Sequence, residues 1–137
     1  MDERERSTIF QYKARESLAG AESEFRDERF NNCANRCYYA CFQAAIAALA
    51  EHGFSPRSGQ WGHDYVQAQF DGQLINRRKR YPTELRGTLT RTYGLRQTAD
   101  YKETVISAAE ASHALRRSQN FVAVIQSRTQ GGGETTS

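Results

Sequence analysis

Hydrophobic residues recur at steps of three and four along most of the chain, which is the spacing of amphipathic helices. No segment alternates with the period of two that strands show. The pattern predicts helices over 7–26, 29–52, 63–73, 83–101 and 108–128. The predicted fold class is therefore all-α, an antiparallel up-and-down bundle of four to five helices.

Glycine, proline and serine mark the ends of these predicted helices. Gly53 closes the second helix, Gly72 interrupts the short third helix, and Pro82 suits the first turn of the fourth. Ser107 followed three residues later by Glu110 has the spacing of a capping box. This pair predicts where the fifth helix begins.

The length of 137 residues fits one helical domain, 1–128, followed by a flexible C-terminal tail, 129–137, with the sequence TQGGGETTS. A hydrophobic content of 38% and a charged content of 26% are typical of a globular protein and argue against a disordered one. The amino terminus is charged, and the longest apolar run, 44–50, is too short to span a bilayer. We therefore expect a cytoplasmic protein that does not enter a membrane.

The segment NNCANRCYYACF, 31–42, contains all three cysteines at four-residue spacing. On a helix, Cys33, Cys37 and Cys41 form one continuous stripe, which Ala44 extends. A zinc site usually takes four ligands from two elements, and the three histidines show no ligand spacing. Core packing by small side chains is favoured over a metal or redox site, so no metal or cofactor is predicted.

The opposite stripe of the same helix is polar but contains aromatic residues. Asn32, Arg36, Tyr39 and Gln43 share it, with Asn35 and Tyr38 beside them. An arginine among aromatic rings usually stacks on them or finds a carboxylate or phosphate. The stripe is either a polar contact between helices or part of a binding site.

The fourth predicted helix places Arg96 in the middle of an apolar face formed by leucines and an alanine. A charge on such a face is costly unless it is paired. Asp100 is a partner for Arg96 within the helix and for Arg36 across the bundle, and Tyr101 completes the group. Alternatively, Arg96 lies in a groove or dimer interface, where it holds a phosphate.

A basic run adds a second candidate for anion binding. Residues 76–102 contain eight lysines and arginines against two acidic residues, so the rest of the chain is slightly acidic. The basic residues are Arg77, Arg78, Lys79, Arg80, Arg86, Arg91, Arg96 and Lys102. The run is either a footprint for a polyanion such as RNA or a solvated loop and helix face.

Two stretches together resemble the HEPN family, most closely its small prokaryotic group. The group carries N-R-x-Y-Y-A-x-F, here residues 35–42, and R-x-x-A-D-Y, here residues 96–101. The resemblance implies a bundle of four or five antiparallel helices, frequent homodimers, and a minimal nucleotidyltransferase as partner in toxin–antitoxin or defence modules. It also implies that Asn35, Arg36, Tyr39 and Arg96 belong to the site, and that catalytic members are metal-independent ribonucleases.

The chain departs from the ribonuclease pattern of the family, in which four to six residues separate the motif arginine from a histidine. After Arg96 this window holds Tyr101, Lys102 and Glu103. Asp100 or Tyr101 would have to replace the histidine, which is the side chain that exchanges protons near neutral pH. His63, near Trp61, either approaches the site or caps a helix.

Three hypotheses follow for the function. The first is a HEPN-type module that binds RNA or a nucleotide through Arg36, Arg96 and Tyr101, with the basic run as a second contact. The second is a ribonuclease toxin that uses Arg96 with Asp100 and Tyr101, or a module whose Tyr101 accepts a nucleotidyl group. The third is a protein-interaction module in which Arg36, Arg96 and Asp100 form a buried structural clasp.

Overall fold

The chain forms a helical bundle in a computed structural model that describes residues 1–101 and 103–134, with side chains through Thr129. Five α-helices follow one another: α1 (Glu3–Arg26), α2 (Phe30–Glu51), α3 (His63–Gln69), α4 (Thr88–Asp100) and α5 (Ala108–Glu134). The described residues contain no strand. The predicted all-α bundle is confirmed.

Four of the helices alternate in direction around α2, as an up-and-down bundle requires. Ser17 on α1 is hydrogen-bonded to Gln43 on α2 at 2.7 Å, where the two helices cross antiparallel. Just before α5, Ile106 contacts Asn31 at the start of α2, and Ser118 on α5 contacts Cys37 further along α2, so α5 runs in the same direction as α2. The helix α4 packs on α2 in the opposite direction.

The loop 53–62 carries the chain back along α2 before α3 begins. His63 therefore lies beside Tyr38 in the middle of α2, and α3 runs in the same direction as α2. The predicted interruption at Gly72 does not occur, because α3 continues as a wider π-helical segment, Phe70–Arg77. Such segments are rare and often lie near functional sites.

The predicted fourth helix, 83–101, is divided into two pieces. A 3₁₀ turn, Thr83–Leu85, precedes Gly87, whose φ of 83° is left-handed and cannot continue a helix. The backbone N–H of Gly87 donates a hydrogen bond of 3.2 Å to the carboxylate of Asp71 in the π-helical segment. This bond connects the start of α4 to the start of the π-helical segment that continues α3.

The helix α5 begins as predicted and ends later than predicted. Ser107 and Glu110 exchange both hydrogen bonds of the capping box, at 3.0 and 3.1 Å. The helix continues to Glu134, so residues 129–134 of the predicted tail are helical, while residues 135–137 lie outside the described part. The side chain of Thr129, which is buried, donates to the carbonyl of Ile125 within this last stretch.

The core is built around α2, whose cysteines pack as small apolar side chains. Cys33, Cys37 and Cys41 are each fully buried among residues of α1, α4 and α5. The Sγ atoms of Cys33 and Cys37 lie 4.0 Å apart. The prediction of core packing for the cysteine stripe is therefore confirmed.

We predict that all three thiols are unreactive in the folded protein. Burial blocks access to them, and it also raises the pKa of Cys41 to about 12, which removes the reactive thiolate. A disulfide reagent such as DTNB should titrate no thiol in native buffer and three in denaturant. Rapid labelling of one cysteine in the native protein would contradict the packing described here.

Candidate functional site

The site is centred on Arg96, which lies against two tyrosine rings. Its Cζ atom lies 5.4 Å from the centre of the Tyr38 ring and 5.1 Å from the centre of the Tyr39 ring. The Nε atom of Arg96 is buried and has no hydrogen-bond partner among the described residues. The guanidinium of Arg96 is thus held by ring faces and not by a carboxylate.

Consecutive positions on α2 give the two tyrosines different environments. Tyr38 points into the bundle and is 2% exposed, whereas Tyr39 is partly exposed at the surface between α1 and α4. Their ring centres lie 5.2 Å apart in an edge-to-face arrangement, and Tyr38 also stacks on Phe42 at 5.5 Å. The buried ring fixes the position of Arg96, and the surface ring extends the site toward solvent.

Arg36 places a second guanidinium on Tyr39. Its Cζ atom lies 5.0 Å from the centre of the Tyr39 ring, and its Nη2 donates a hydrogen bond of 3.0 Å to the side-chain oxygen of Asn35. Arg36 also lines a groove of about 340 Å³ between α1 and α2, whose other lining residues are Gly20, Ser23, Glu24, Asn32 and Asn35. Arg36 and Arg96, which are sixty residues apart in the sequence, therefore share one ring.

His63 is the residue that sequence reasoning placed least securely and that the fold brings into the site. Its Nδ1 lies 3.0 Å from the Tyr38 hydroxyl, and its ring stacks on Tyr93 with centres 3.8 Å apart and an interplanar angle of 16°. Burial lowers the pKa of His63, the charge of Arg96 lowers it further, and Asp64 opposes both. The imidazole is thus neutral at pH 7.

Asp100 and Tyr101 lie at the edge of the site and do not close it. Both are exposed, Asp100 on the last turn of α4 and Tyr101 directly after that helix. Within the described part of the chain, the ion pairs are those of Arg29 with Glu24 and Asp27. The hypothesis of a buried clasp of Arg36, Arg96 and Asp100 is therefore wrong, because Asp100 pairs with neither arginine.

The basic run lies at the other end of α2. Arg78 stacks on Phe54 with its Cζ 4.7 Å from the ring centre, and Tyr81 meets His52 edge-on at 6.3 Å. His52 and Tyr39 are thirteen residues apart on α2, which corresponds to about 20 Å. The fold therefore does not bring residues 77–80 of the basic run to the Arg96 site.

The members of the run, Arg77, Arg78, Lys79 and Arg80, are all exposed. Arg91, on α4, is also exposed and makes no ion pair with the described residues. Lys79 and Arg86 line a shallow pocket of about 350 Å³ with Arg128 and Tyr81. The run and Arg91 thus remain surface cations whose role is a prediction.

Two further observations concern metals and membranes. In residues 1–101 and 103–134, no three His, Cys, Asp or Glu side chains converge as a metal site would require. No helix in the described part of the chain combines the length and apolar composition of a membrane span. The chemistry available at the site is that of guanidinium, phenol and imidazole groups.

Comparison with known proteins places this arrangement in a family. Residues 9–128 match the model of the HEPN domain. A protein of Methanocaldococcus jannaschii named "Putative toxin MJ0142" is 29% identical over 111 residues, which cover 80% of this chain and 72% of that protein. "Putative toxin MJ0605" of the same organism is also 29% identical, over 80% of this chain and 78% of its own.

A third relative covers almost the whole chain. The "UPF0332 protein" of Thermotoga maritima is 32% identical over 128 residues, which are 89% of this chain and 92% of that protein. The family match extends from α1 to the last turns of α5 and includes every residue of the Arg96 site. The chain, in which Arg36 and Arg96 contact the Tyr39 ring of a helical bundle, belongs to the HEPN domain family.

Proposed function

We propose that the chain is a toxin-like HEPN module that binds RNA, with Arg96 and Arg36 holding a backbone phosphate. The observation that carries this proposal is the Arg96 guanidinium, which lies against two tyrosine rings without a carboxylate partner. A planar guanidinium with free N–H donors matches the oxygens of a phosphate. The toxin names of two relatives support the toxin-like part of the proposal.

The local charge favours an anion at this position. Two guanidiniums each lie about 5 Å from the centre of the Tyr39 ring, so two positive charges are concentrated around one side chain. Tyr39 is partly exposed and offers a surface on which a base of single-stranded RNA stacks. A phosphate next to a stacking ring is the usual combination in proteins that bind single-stranded nucleic acid.

A ribonuclease is the second candidate function, favoured by the imidazole of His63 beside the tyrosine that carries Arg96. Arg96 would stabilise the negative charge that develops on the phosphorus oxygens, which is the role of a positioned guanidinium in transfer at phosphorus. Asp100 and Tyr101, the sequence-based candidates for proton transfer, are both exposed to solvent. His63 supplies the proton-exchanging group that the motif window lacks.

The proposed partner is a minimal nucleotidyltransferase, as the resemblance implies. Tyr101 is 69% exposed just after α4, so its hydroxyl is open to a partner enzyme. Transfer would join the tyrosine oxygen to the α-phosphorus of a nucleoside triphosphate and release pyrophosphate. The homodimer that the resemblance implies also stays a prediction.

We predict that Arg96→Ala weakens RNA binding while the fold stays intact. A charge-assisted contact to phosphate is worth about 1.5–3 kcal/mol, so affinity should fall at least about tenfold, and the slope of log K against log salt should drop by about one. Fluorescence anisotropy measures the affinity and its salt dependence. The probe is 2′-O-methyl RNA, whose methylated 2′-oxygen prevents cleavage during the measurement. Arg36→Ala should behave similarly, and Arg116→Ala, which removes an exposed arginine on α5, is the control.

Loss of the stacked guanidinium should cost about 0.5–2 kcal/mol of unfolding free energy, so a folded variant is expected. Competition by a mononucleotide as effective as RNA would assign the site to a nucleotide instead. Equal affinities for wild type and Arg96→Ala, or binding that ignores salt, would contradict the proposal.

We predict that the purified wild-type protein cleaves RNA in EDTA and that Arg96→Ala abolishes the cleavage. The physical reason is the loss of the arginine that, among the described residues, contacts both tyrosines of the site. Gel analysis of a 5′-labelled RNA measures the rate, with Arg116→Ala as the matched variant. Intact RNA after incubation with wild type in EDTA and in Mg²⁺ would remove the ribonuclease candidate and leave RNA binding in place.

We predict that Tyr101 gains a nucleotidyl group on co-expression with a minimal nucleotidyltransferase from the same gene neighbourhood. Intact mass should rise by one nucleotidyl unit in wild type and stay unchanged in Tyr101→Phe. Tyr12→Phe is the control, because Tyr12 is 59% exposed on α1. A mass increase that persists in Tyr101→Phe would assign the modification elsewhere.

A further inference from the structure

We propose that His63 is the proton acceptor of this site and that the Tyr38 hydroxyl holds it in the reactive tautomer. The inference rests on the proposed RNA binding at Arg96 and adds a catalytic role for a residue on a different helix. The stretch after Arg96 contains no histidine within its first seven residues. The role is assigned to His63 by its contacts, which come from α2 and α4 at once.

Two contacts of different kinds fix the imidazole ring. The hydrogen bond between Nδ1 and the Tyr38 hydroxyl, 3.0 Å long, sets which edge of the ring points inward. Stacking on Tyr93, with centres 3.8 Å apart and planes 16° apart, sets the plane of the ring. A ring held in both ways presents its other nitrogen, Nε2, in a defined direction.

The Nε2 atom is free to react. His63 is partly exposed, and the described residues give Nε2 no hydrogen-bond partner. The ring centres of His63 and Tyr38 lie 5.7 Å apart, and the Cζ of Arg96 lies 5.4 Å from the same Tyr38 ring centre. The imidazole and the guanidinium therefore flank the same ring, and a phosphodiester bound between them would reach both.

The Tyr38 hydroxyl and Nδ1 of His63 share one hydrogen bond, and the proposed tautomer is the one in which Nδ1–H donates to the Tyr38 oxygen. Burial raises the pKa of Tyr38, so its hydroxyl stays protonated and offers a lone pair to an N–H donor. When Nδ1–H donates to this oxygen, Nε2 keeps its lone pair and is the basic nitrogen. After Nε2 takes a proton, the same hydrogen bond stabilises the imidazolium that results.

Burial, and not the facing charges, keeps His63 neutral before the reaction. Of the charged groups that face it, Asp64 on α3 raises its pKa and Arg96 on α4 lowers it, while the rings of Tyr38 on α2 and Tyr93 on α4 pack against the imidazole. Burial is the largest effect and also favours the neutral form. The base is therefore available at neutral pH and is lost as the pH falls through its lowered pKa.

The reaction that this arrangement supports is an internal transfer at phosphorus. The 2′-oxygen of the RNA forms a bond to the adjacent phosphorus, and its proton passes to Nε2 of His63. The bond from phosphorus to the 5′-oxygen breaks, and this oxygen takes a proton from water. The products are a 2′,3′-cyclic phosphate and a 5′-hydroxyl end, and the imidazolium then returns its proton to solvent. Arg96 stabilises the charge on the phosphorus oxygens.

The experiment compares His63→Gln and Tyr38→Phe with the control His113→Gln, in which an exposed histidine on α5 is replaced. Cleavage of a short RNA in EDTA is followed between about pH 5 and 8, the range in which histidine titrates. Affinity for 2′-O-methyl RNA is measured in parallel. Mass spectrometry identifies the ends of the cleaved RNA.

The wild-type rate should rise with pH and level off above an inflection below 6.5, the ordinary pKa of histidine. His63→Gln should lower the plateau by about 10²–10⁴ and remove the inflection, with RNA affinity unchanged. Tyr38→Phe keeps the ring on which Arg96 stacks, so it should lower the plateau of the cleavage rate and leave the RNA affinity unchanged. Added imidazole should restore part of the rate to His63→Ala, and His113→Gln should match wild type.

Four results would overturn the inference. A wild-type pH profile in His63→Gln would overturn it and leave RNA binding at Arg96 intact. A parallel loss of rate and affinity in His63→Gln would show that the ring only supports the fold of the site. Wild type that binds RNA without cleaving it would exclude the catalytic role. Wild type that binds no RNA would overturn both the inference and the proposed function.

Discussion

The small side chains of α2 are the constraint on which the rest of the bundle depends. Alanine and cysteine occupy ten of its buried positions, and residues 44–50 are buried without interruption. Side chains of this size let α1, α4 and α5 approach closely on all sides, as close packing in a protein interior requires. Before this segment, Asn35, Arg36 and Tyr39 are only partly buried. The candidate site lies on this partly accessible part of α2.

Arg96 shows how the bundle accommodates a charge near its core without neutralising it. A buried ion pair would satisfy the arginine and leave little attraction for a ligand. Stacking on Tyr38 and Tyr39 instead supplies a modest stabilisation while the positive charge stays available. The second guanidinium on Tyr39, from Arg36, raises the local potential further. The two positive charges are therefore left without a carboxylate partner in the free protein, which is electrostatically unfavourable but favours the binding of an anion.

Local patterns in the sequence were sufficient for the helices and for one half of the site. The capping box at Ser107 and the cysteine stripe depend on neighbours three and four residues away, so spacing alone predicts them. That Arg36 and Arg96 belong to one site was implied by the resemblance to the HEPN family, while the residues alone left open whether the two polar stripes face each other. Their actual meeting point, the Tyr39 ring, depends on the bundle geometry.

The features that sequence reasoning missed depend on long-range contacts. The position of His63 follows from the return of loop 53–62 along α2, which no periodicity encodes. The break before α4 depends on the left-handed Gly87, a single residue whose conformation the apolar pattern does not report. The helical turns after Arg128 contain three glycines, and propensity alone argues against them. Tertiary contacts account for the position of His63 and for the break before α4.

The hydrogen bond between Asp71 and Gly87 has a mechanical consequence for the site. It fastens the α3 segment to the start of α4, while the imidazole and the guanidinium lie further along the two elements. The two elements are thus joined at one end by the bond between Asp71 and Gly87, and this bond restrains the distance between His63 and Arg96 at the other end. Because burial raises the pKa of Asp71, this joint is itself a titratable group. The distance between His63 and Arg96 therefore depends in part on the carboxylate of Asp71, which contacts neither side chain.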